Sequence, residues 1–259
     1  MSGKCDIKKT FVFRFYAELN DFLPKCRRQK SFTKSFKTPI TVAETIVSLG
    51  IPFSEIDLVL VNGESAKLSH SLKENDRISV YPTFESMDIS SNTKVRVEAL
   101  RVTKFILDCH LGKLSKYLRM LGFDTLYSNN FEDDEIIDIA SKQQRIILTR
   151  DKLLLSSKKV THGYFVRAIE KHEQLIEVVK KFDLYSQFRS FTRCMTCNAC
   201  LCKIEKEEVI NKIDSETIRV FNEFFYCKDC DKVFWKGSHF KKMEAYIREL
   251  VLDDARRSL

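Results

Sequence analysis

Cys194-Met-Thr-Cys197 and Cys227-Lys-Asp-Cys230 are two thiol pairs of the same internal spacing. Two intervening residues let both sulfurs of one tight turn face one ion, and two such turns supply the four thiolates of a tetrahedral metal. Cys197-Asn-Ala-Cys200 is itself a CxxC pair, and Cys202 follows it, so spacing alone permits more than one ligand set. A second chemistry is written upstream in carboxylates. Asp108 ends one apolar run, Asp151 follows another, and Glu132-Asp133-Asp134-Glu135 lies between them. Brought together, such groups repel and raise one another's pKa. A Mg²⁺ or Mn²⁺ ion relieves that repulsion through oxygen ligands. It can also activate water and stabilise charge on a phosphate being displaced.

Each carboxylate has a plainer reading. Asp108 could make a turn, Asp133 or Asp134 could cap a helix, and Asp151 could cap the segment Lys152-Leu153-Leu154. Convergence from three chain segments is what favours the metal. Lys113, Lys116, Arg119 and Arg150 lie near the expected carboxylate edge. Lys113 suits a phosphate because the N–H groups of a helix N-terminus would assist it; Lys116 and Arg119 also fit a solvated helix face. His110 beside Asp108 could shuttle protons or be incidental, and Cys109 reads as a small core residue.

Open parallel sheets gather ligands at the carboxyl ends of their strands, so these residues need such a sheet beneath them. Residues 95–185 alternate strand and helix. The strands read as 104–108, 125–127, 145–149 and 163–166. Leu114, Tyr117, Leu118 and Leu121 share a helical face, and the helix from Asp133 has an acidic first turn that suits its dipole. Residues 10–84 read ββαββ, the order of a β-grasp domain: strands at 11–15, 32–36, 58–61 and 76–81, with a helix from Thr41 to Gly50. Thr41 and Glu44 have capping-box spacing, and Asn62-Gly63 is a hairpin turn. A polar stretch, 85–93, reads as part of a linker. Phe224, Phe225, Tyr226, Phe234 and Trp235 flank the second thiol pair, as a thin metal-supported core requires.

The 259 residues, 44% apolar, suit two or three domains. The formal charge of +8 is concentrated in the middle segment and permits phosphate contacts without requiring them. No apolar run is long enough to predict a membrane span, and Met1 to Lys9 lacks a signal core. Nine cysteines, an odd number clustered at metal spacing, predict the reducing cytoplasm rather than a secreted disulfide scaffold.

Asp108-Cys109-His110-Leu111-Gly112-Lys113-Leu114, Leu118-Arg119-Met120-Leu121-Gly122-Phe123-Asp124 and Ile147-Leu148-Thr149-Arg150-Asp151 resemble the Mut-seven C-terminal RNase family, whose members are PIN-like nucleases. Residues 13–24 and 59–64 resemble the ubiquitin-like domain that precedes it. The resemblance implies an α/β PIN-like parallel-sheet core with an N-terminal α+β β-grasp (ubiquitin-like) domain and a C-terminal zinc ribbon. The corresponding boundaries are 10–84, a linker at 85–100, 101–189 and 190–259. It implies a ribonuclease with Asp108, Asp133, Asp134 and Asp151 as catalytic residues, and Asp108, Asp133 and Asp151 holding Mg or Mn. Lys113, Arg119, Thr149 and Arg150 would contact substrate.

The family's single CxxC at the first pair favours Cys194, Cys197, Cys227 and Cys230 as structural zinc ligands. The implied partners are RNA and a protein met by the β-grasp domain. The ubiquitin-like domain is also related to sulfur carriers, but Pro82-Thr83-Phe84 replaces a terminal Gly-Gly, which leaves binding or scaffolding as its role. Many PIN nucleases carry another carboxylate after the next strand. Gly163-Tyr164-Phe165-Val166-Arg167 has none, so the alternative is a non-catalytic RNA-binding or protein-scaffolding module with a degenerate PIN-like fold.

Overall fold

The computed structural model describes residues 8–82, 103–157 and 159–257, and the expected linker at 85–100 lies outside them. The N-terminal elements are β1 (Lys8–Phe15), β2 (Phe32–Lys37), α1 (Val42–Ser48), β3 (Ile56–Val61), β4 (Glu64–Ser65) and β5 (Arg77–Pro82). The central ones are β6 (Lys104–Leu107), α2 (Gly112–Met120), β7 (Asp124–Tyr127), α3 (Asp133–Gln143), β8 (Ile146–Thr149), α4 (Lys152–Leu155), β9 (Gly163–Phe165) and α5 (Lys171–Lys181). Then follow β10 (Cys202–Ile204), α6 (Ser215–Val220), β11 (Phe224–Cys227), β12 (Lys232–Trp235) and α7 (Ser238–Arg257). Among the described residues no helix is long and apolar enough to cross a membrane.

The first five strands form one mixed sheet of order β2-β1-β5-β3-β4, with β1 parallel to β5 and the other pairs antiparallel. Alternation explains it: Phe11, Phe13 and Phe15 point to a core that includes Ile46 of α1 and Ile78 and Val80 of β5. The expected capping box starts α1: Thr41 Oγ1 accepts from the Glu44 amide at 3.3 Å, and Glu44 Oε2 accepts from the Thr41 amide at 2.8 Å. Asn62 and Gly63 turn the β3–β4 hairpin with φ of 55° and 91°, the left-handed pair that tight hairpins favour. This is the β-grasp fold.

Strands β6, β8 and β9 are successive neighbours and all parallel, pairing Ile106 with Ile147 and Leu148 with Tyr164. Phe105, Ile106, Leu107, Ile147 and Leu148 are all buried, the continuous apolar pattern of a sheet covered on both faces. The β-grasp residues, this β6 segment and Phe131–Val166 form one compact unit. Inside it, Glu55 Oε1 accepts a 2.6 Å hydrogen bond from the Phe165 amide on β9. The Phe22 and Phe165 rings meet edge to face at 5.7 Å. Lys152, the first residue of α4, donates to the Asp21 carbonyl at 3.0 Å, and its ammonium lies over the Phe22 and Phe165 rings at 5.0 and 5.2 Å.

A second compact unit comprises Leu111–Asn130 and the chain from Arg167 onward. Here α2 packs on β7 and α5 through buried Leu114 and Leu118. Gly122 closes α2 with φ of 98°, and a Cβ there would lie 2.2 Å from the Arg189 carbonyl oxygen, so glycine is required twice over. Strands β10, β11 and β12 form an antiparallel three-stranded sheet. The final helix begins at Ser238, earlier than the apolar pattern from Lys241 suggests.

Candidate metal centres: a carboxylate edge and a four-sulfur cluster

Asp108 follows β6 directly and is only 5% exposed. A buried carboxylate must be compensated by donors, and Asp108 has three in the structure. Its Oδ1 accepts from the His110 amide at 2.8 Å. Its Oδ2 accepts from the Arg150 amide at 3.0 Å and from the Thr149 hydroxyl. The same hydroxyl accepts from the Asp151 amide at 2.8 Å. Thr149 thus ties the two aspartates of adjacent parallel strands through one oxygen.

Asp151 caps α4, its Oδ1 accepting from the Leu153 amide at 2.7 Å. The plainer reading of that residue is therefore correct, though it accounts for one oxygen. Asp133 opens α3 and is exposed, with Asp134 and Glu135 beside it in the first turn. Glu132, rather than either aspartate, occupies the N-cap position, without a side-chain capping bond. This frees the expected capping aspartates for the helix's first turn. The Asp133 carboxyl is shifted upward, by partial burial and then by the charges of Asp151, Asp108, Glu132 and Asp134. Like charge from the ends of β6 and β8 is thus felt at the first residue of α3, although among the described residues the donor atoms lying within 4.8 Å of one another as a metal-holding group are the four sulfurs and not these carboxylates.

Several residues take positions other than those expected. Thr149 is fully buried with its hydroxyl engaged on Asp108 and Asp151, so it orients carboxylates and has no surface for substrate. Arg119 is 3% exposed, which excludes both the substrate contact and the solvated face. Cys109 is exposed, not core, because the chain turns outward immediately after β6. Arg150 is half-buried and donates to the Val166 carbonyl at 3.3 Å. Lys113 is exposed at the second residue of α2, and His110 is exposed after Asp108.

The thiols settle their own ambiguity. The Cys194, Cys197, Cys227 and Cys230 sulfurs all lie within 4.8 Å of one another, with Cys194–Cys230 at 3.6 Å and Cys197–Cys227 at 3.2 Å. A tetrahedral zinc with bonds of about 2.3 Å needs sulfurs about 3.8 Å apart, so the donor set fits. Cys200 is exposed on the strand-like turn opposite Arg193, and Cys202 donates to the Tyr226 carbonyl. Burial pushes the Cys194 thiol up, but the Cys197 and Thr196 amides and neighbouring thiols outweigh it and bring the value down to about 7. Burial and the three other sulfurs push Cys230 up to about 12. Four sulfurs this close cannot all lose their protons unless a cation shares them.

Sequence reasoning missed the groups that hold the first thiol turn. Arg119 donates to the carbonyls of Met195 and Thr196 at 3.2 and 2.8 Å, and to Thr125 at 2.9 Å. Burial lowers its pKa, while the thiols of Cys197 and Cys194 oppose that shift. Asn198 has φ of 75°, donates to Asp124 at 2.8 Å and accepts from the Thr125 amide at 2.9 Å. The one available signal was Asn directly after Cys197, a residue that tolerates the left-handed region.

No curated protein and no solved structure matches the chain. Two family models do. Residues 8–88 match the Mut7-C ubiquitin model, in agreement with the mixed sheet of β1–β5. Residues 103–247, more than half of the chain, match the Mut7-C RNAse domain, and this span contains the parallel strands, Asp108, Asp133 and Asp151, and all four clustered sulfurs. On that match the chain belongs to the Mut7-C RNAse domain family.

Proposed function

We propose that this protein is a metal-dependent ribonuclease that hydrolyses RNA phosphodiester bonds at the edge formed by Asp108, Asp133 and Asp151. The supporting observation is that one hydroxyl, that of Thr149, donates to Asp108 and accepts from the Asp151 amide, with the Asp133 carboxyl shifted upward by partial burial and then by the charges of Asp151 and Asp108. A Mg²⁺ or Mn²⁺ held by these three residues would supply an activated water and charge stabilisation at the phosphate. Thr149 and the Arg150 amide hold Asp108 in place. Asp134 adds negative charge beside Asp133. Arg150 would neutralise phosphate oxygens. The four clustered cysteines would hold zinc, which stabilises β10–β12 rather than taking part in hydrolysis. In this reading residues 10–84 are the β-grasp domain, 85–100 the linker, 101–189 the nuclease domain and 190–259 the ribbon with its helix.

The test is cleavage of RNA across Mg²⁺, Mn²⁺ and metal-free buffer, comparing wild type with Asp151→Asn. We expect metal-dependent cleavage that falls at least about a hundredfold in the variant. Equal activity in both proteins rejects the assignment to this edge. The competing reading, RNA binding or scaffolding without cleavage, draws on the missing carboxylate at 163–167 and on the donors already occupying Asp108. RNA affinity without cleavage under any of these metals would favour it.

A further inference from the structure

The outer face of the β-grasp sheet has a composition that its fold does not require. Alternation puts Phe11, Phe13 and Phe15 of β1 into the core, so Lys8, Arg14 and then Tyr16 take the opposite side. Register carries this face across the sheet. Lys8 pairs with Lys37, and Thr10 with Ser35, whose hydroxyls hydrogen-bond at 2.9 Å. Val12 is beside Arg77 on β5. Tyr16 stacks on Tyr81, ring centroids 4.3 Å apart and planes 6° from parallel, with the Arg14 guanidinium 5.4 Å over Tyr16. Lys8, Lys37 and Arg77 are exposed, and Arg14, Tyr16 and Tyr81 are half-exposed.

Charge is segregated in the same domain. Residues 8–37 carry nine Lys and Arg against Glu18 and Asp21, whereas residues 38–82 carry three against six carboxylates. Lysine on an exposed edge strand often serves only to block further strand pairing, which accounts for Lys37 on β2. It does not account for Arg14 and Tyr16, because β1 lies between β2 and β5. Cations that track a backbone, set beside rings on which bases stack, are the two components of single-strand recognition.

We propose that this sheet face binds single-stranded RNA, with Lys8, Arg14, Lys37 and Arg77 on phosphates and the Tyr16–Tyr81 stack receiving a base. The proposal rests on the ribonuclease reading for its choice of polymer and gives the N-terminal domain the task of delivering the strand.

The experiment is fluorescence polarisation of a labelled single-stranded oligoribonucleotide with the full chain, in buffer without added Mg²⁺ or Mn²⁺, over a salt series. The double variant Arg14→Glu/Lys37→Glu is expected to weaken binding at least tenfold and to flatten the dependence on salt by about one to two phosphate contacts. Tyr16→Ala should also weaken binding, and Tyr16→Phe should retain it. Circular dichroism confirms that each variant is folded. Unchanged affinity in the folded double variant, or no RNA affinity in wild type, overturns the proposal and leaves the face to a protein partner. Cleavage is scored separately. Lost binding with no cleavage by wild type sustains this inference while the nuclease reading fails; intact binding in the variants with Asp151-dependent cleavage does the reverse.

Discussion

Asp133 is exposed, yet its carboxyl holds a proton more tightly than an ordinary aspartate. The folded, metal-free chain therefore gains from that proton. The gain is fully present below the unfolded value near 3.8 and is lost as pH rises through the higher folded value. At neutral pH without metal the residue is a repulsive liability. Asp133→Asn should leave the melting temperature of metal-free protein unchanged or raised, while Mn²⁺-supported cleavage collapses. Metal has to displace that proton, so wild-type cleavage should fall on the acid side at a higher pH than an unperturbed aspartate would give. Thermal melts and a pH–rate profile measure both; a destabilised Asp133→Asn protein would contradict the crowding. Thr149 has the opposite role. A buried hydroxyl that donates to one aspartate and accepts from the next reduces the freedom of both before any ion arrives.

At the scale of elements, the sulfur cluster depends on a helix far from it in sequence. Arg119 on α2 satisfies the carbonyls of the first thiol turn. Zinc measured by atomic emission should be lost in Cys227→Ser and kept in Cys200→Ser. Arg119→Met should weaken zinc retention against a chelator and destabilise the second unit by about 1–3 kcal/mol, since it strands buried acceptors. Equal zinc retention in Arg119→Met and wild type would confine the arginine to packing. The elements themselves were largely legible. Alternating phenylalanines gave β1, Thr41 and Glu44 gave α1, and apolar runs ending in Asp108 and Thr149 gave the carboxylate edge. Arg119 was not legible, because its partners are 76 and 77 residues away and no helical period reports them. Thr149 was misassigned for a related reason: a hydroxyl beside an Arg-Asp pair looks available until the adjacent strand is placed. Overlapping CxxC spacings left the sulfur set open until turn geometry turned Cys200 away.

At the scale of the molecule, the β-grasp domain and the strands behind the acidic edge share one compact unit. Lys152 joins them, bonded to Asp21 and flanked by Phe22 and Phe165, one residue after Asp151. Cation–π contacts with one good hydrogen bond are each modest, about 1 kcal/mol or less apiece when partly exposed. Lys152→Met should therefore lower the melting temperature by a few degrees at most. Hydrogen exchange is expected to show faster amide exchange together at β9 and around Asp21; loosening confined to α4 would mean the two sides are not linked through this lysine. The Glu55 carboxylate on the Phe165 amide adds something different. β9 ends its sheet, and a bare terminal strand recruits strands from other chains. Here an acidic side chain takes the first place in that ladder. A Mut7-C RNAse domain cut free of its N-terminal neighbour would present an unguarded strand. Keeping the two on one polypeptide thus keeps the outer Phe165 amide of that strand occupied.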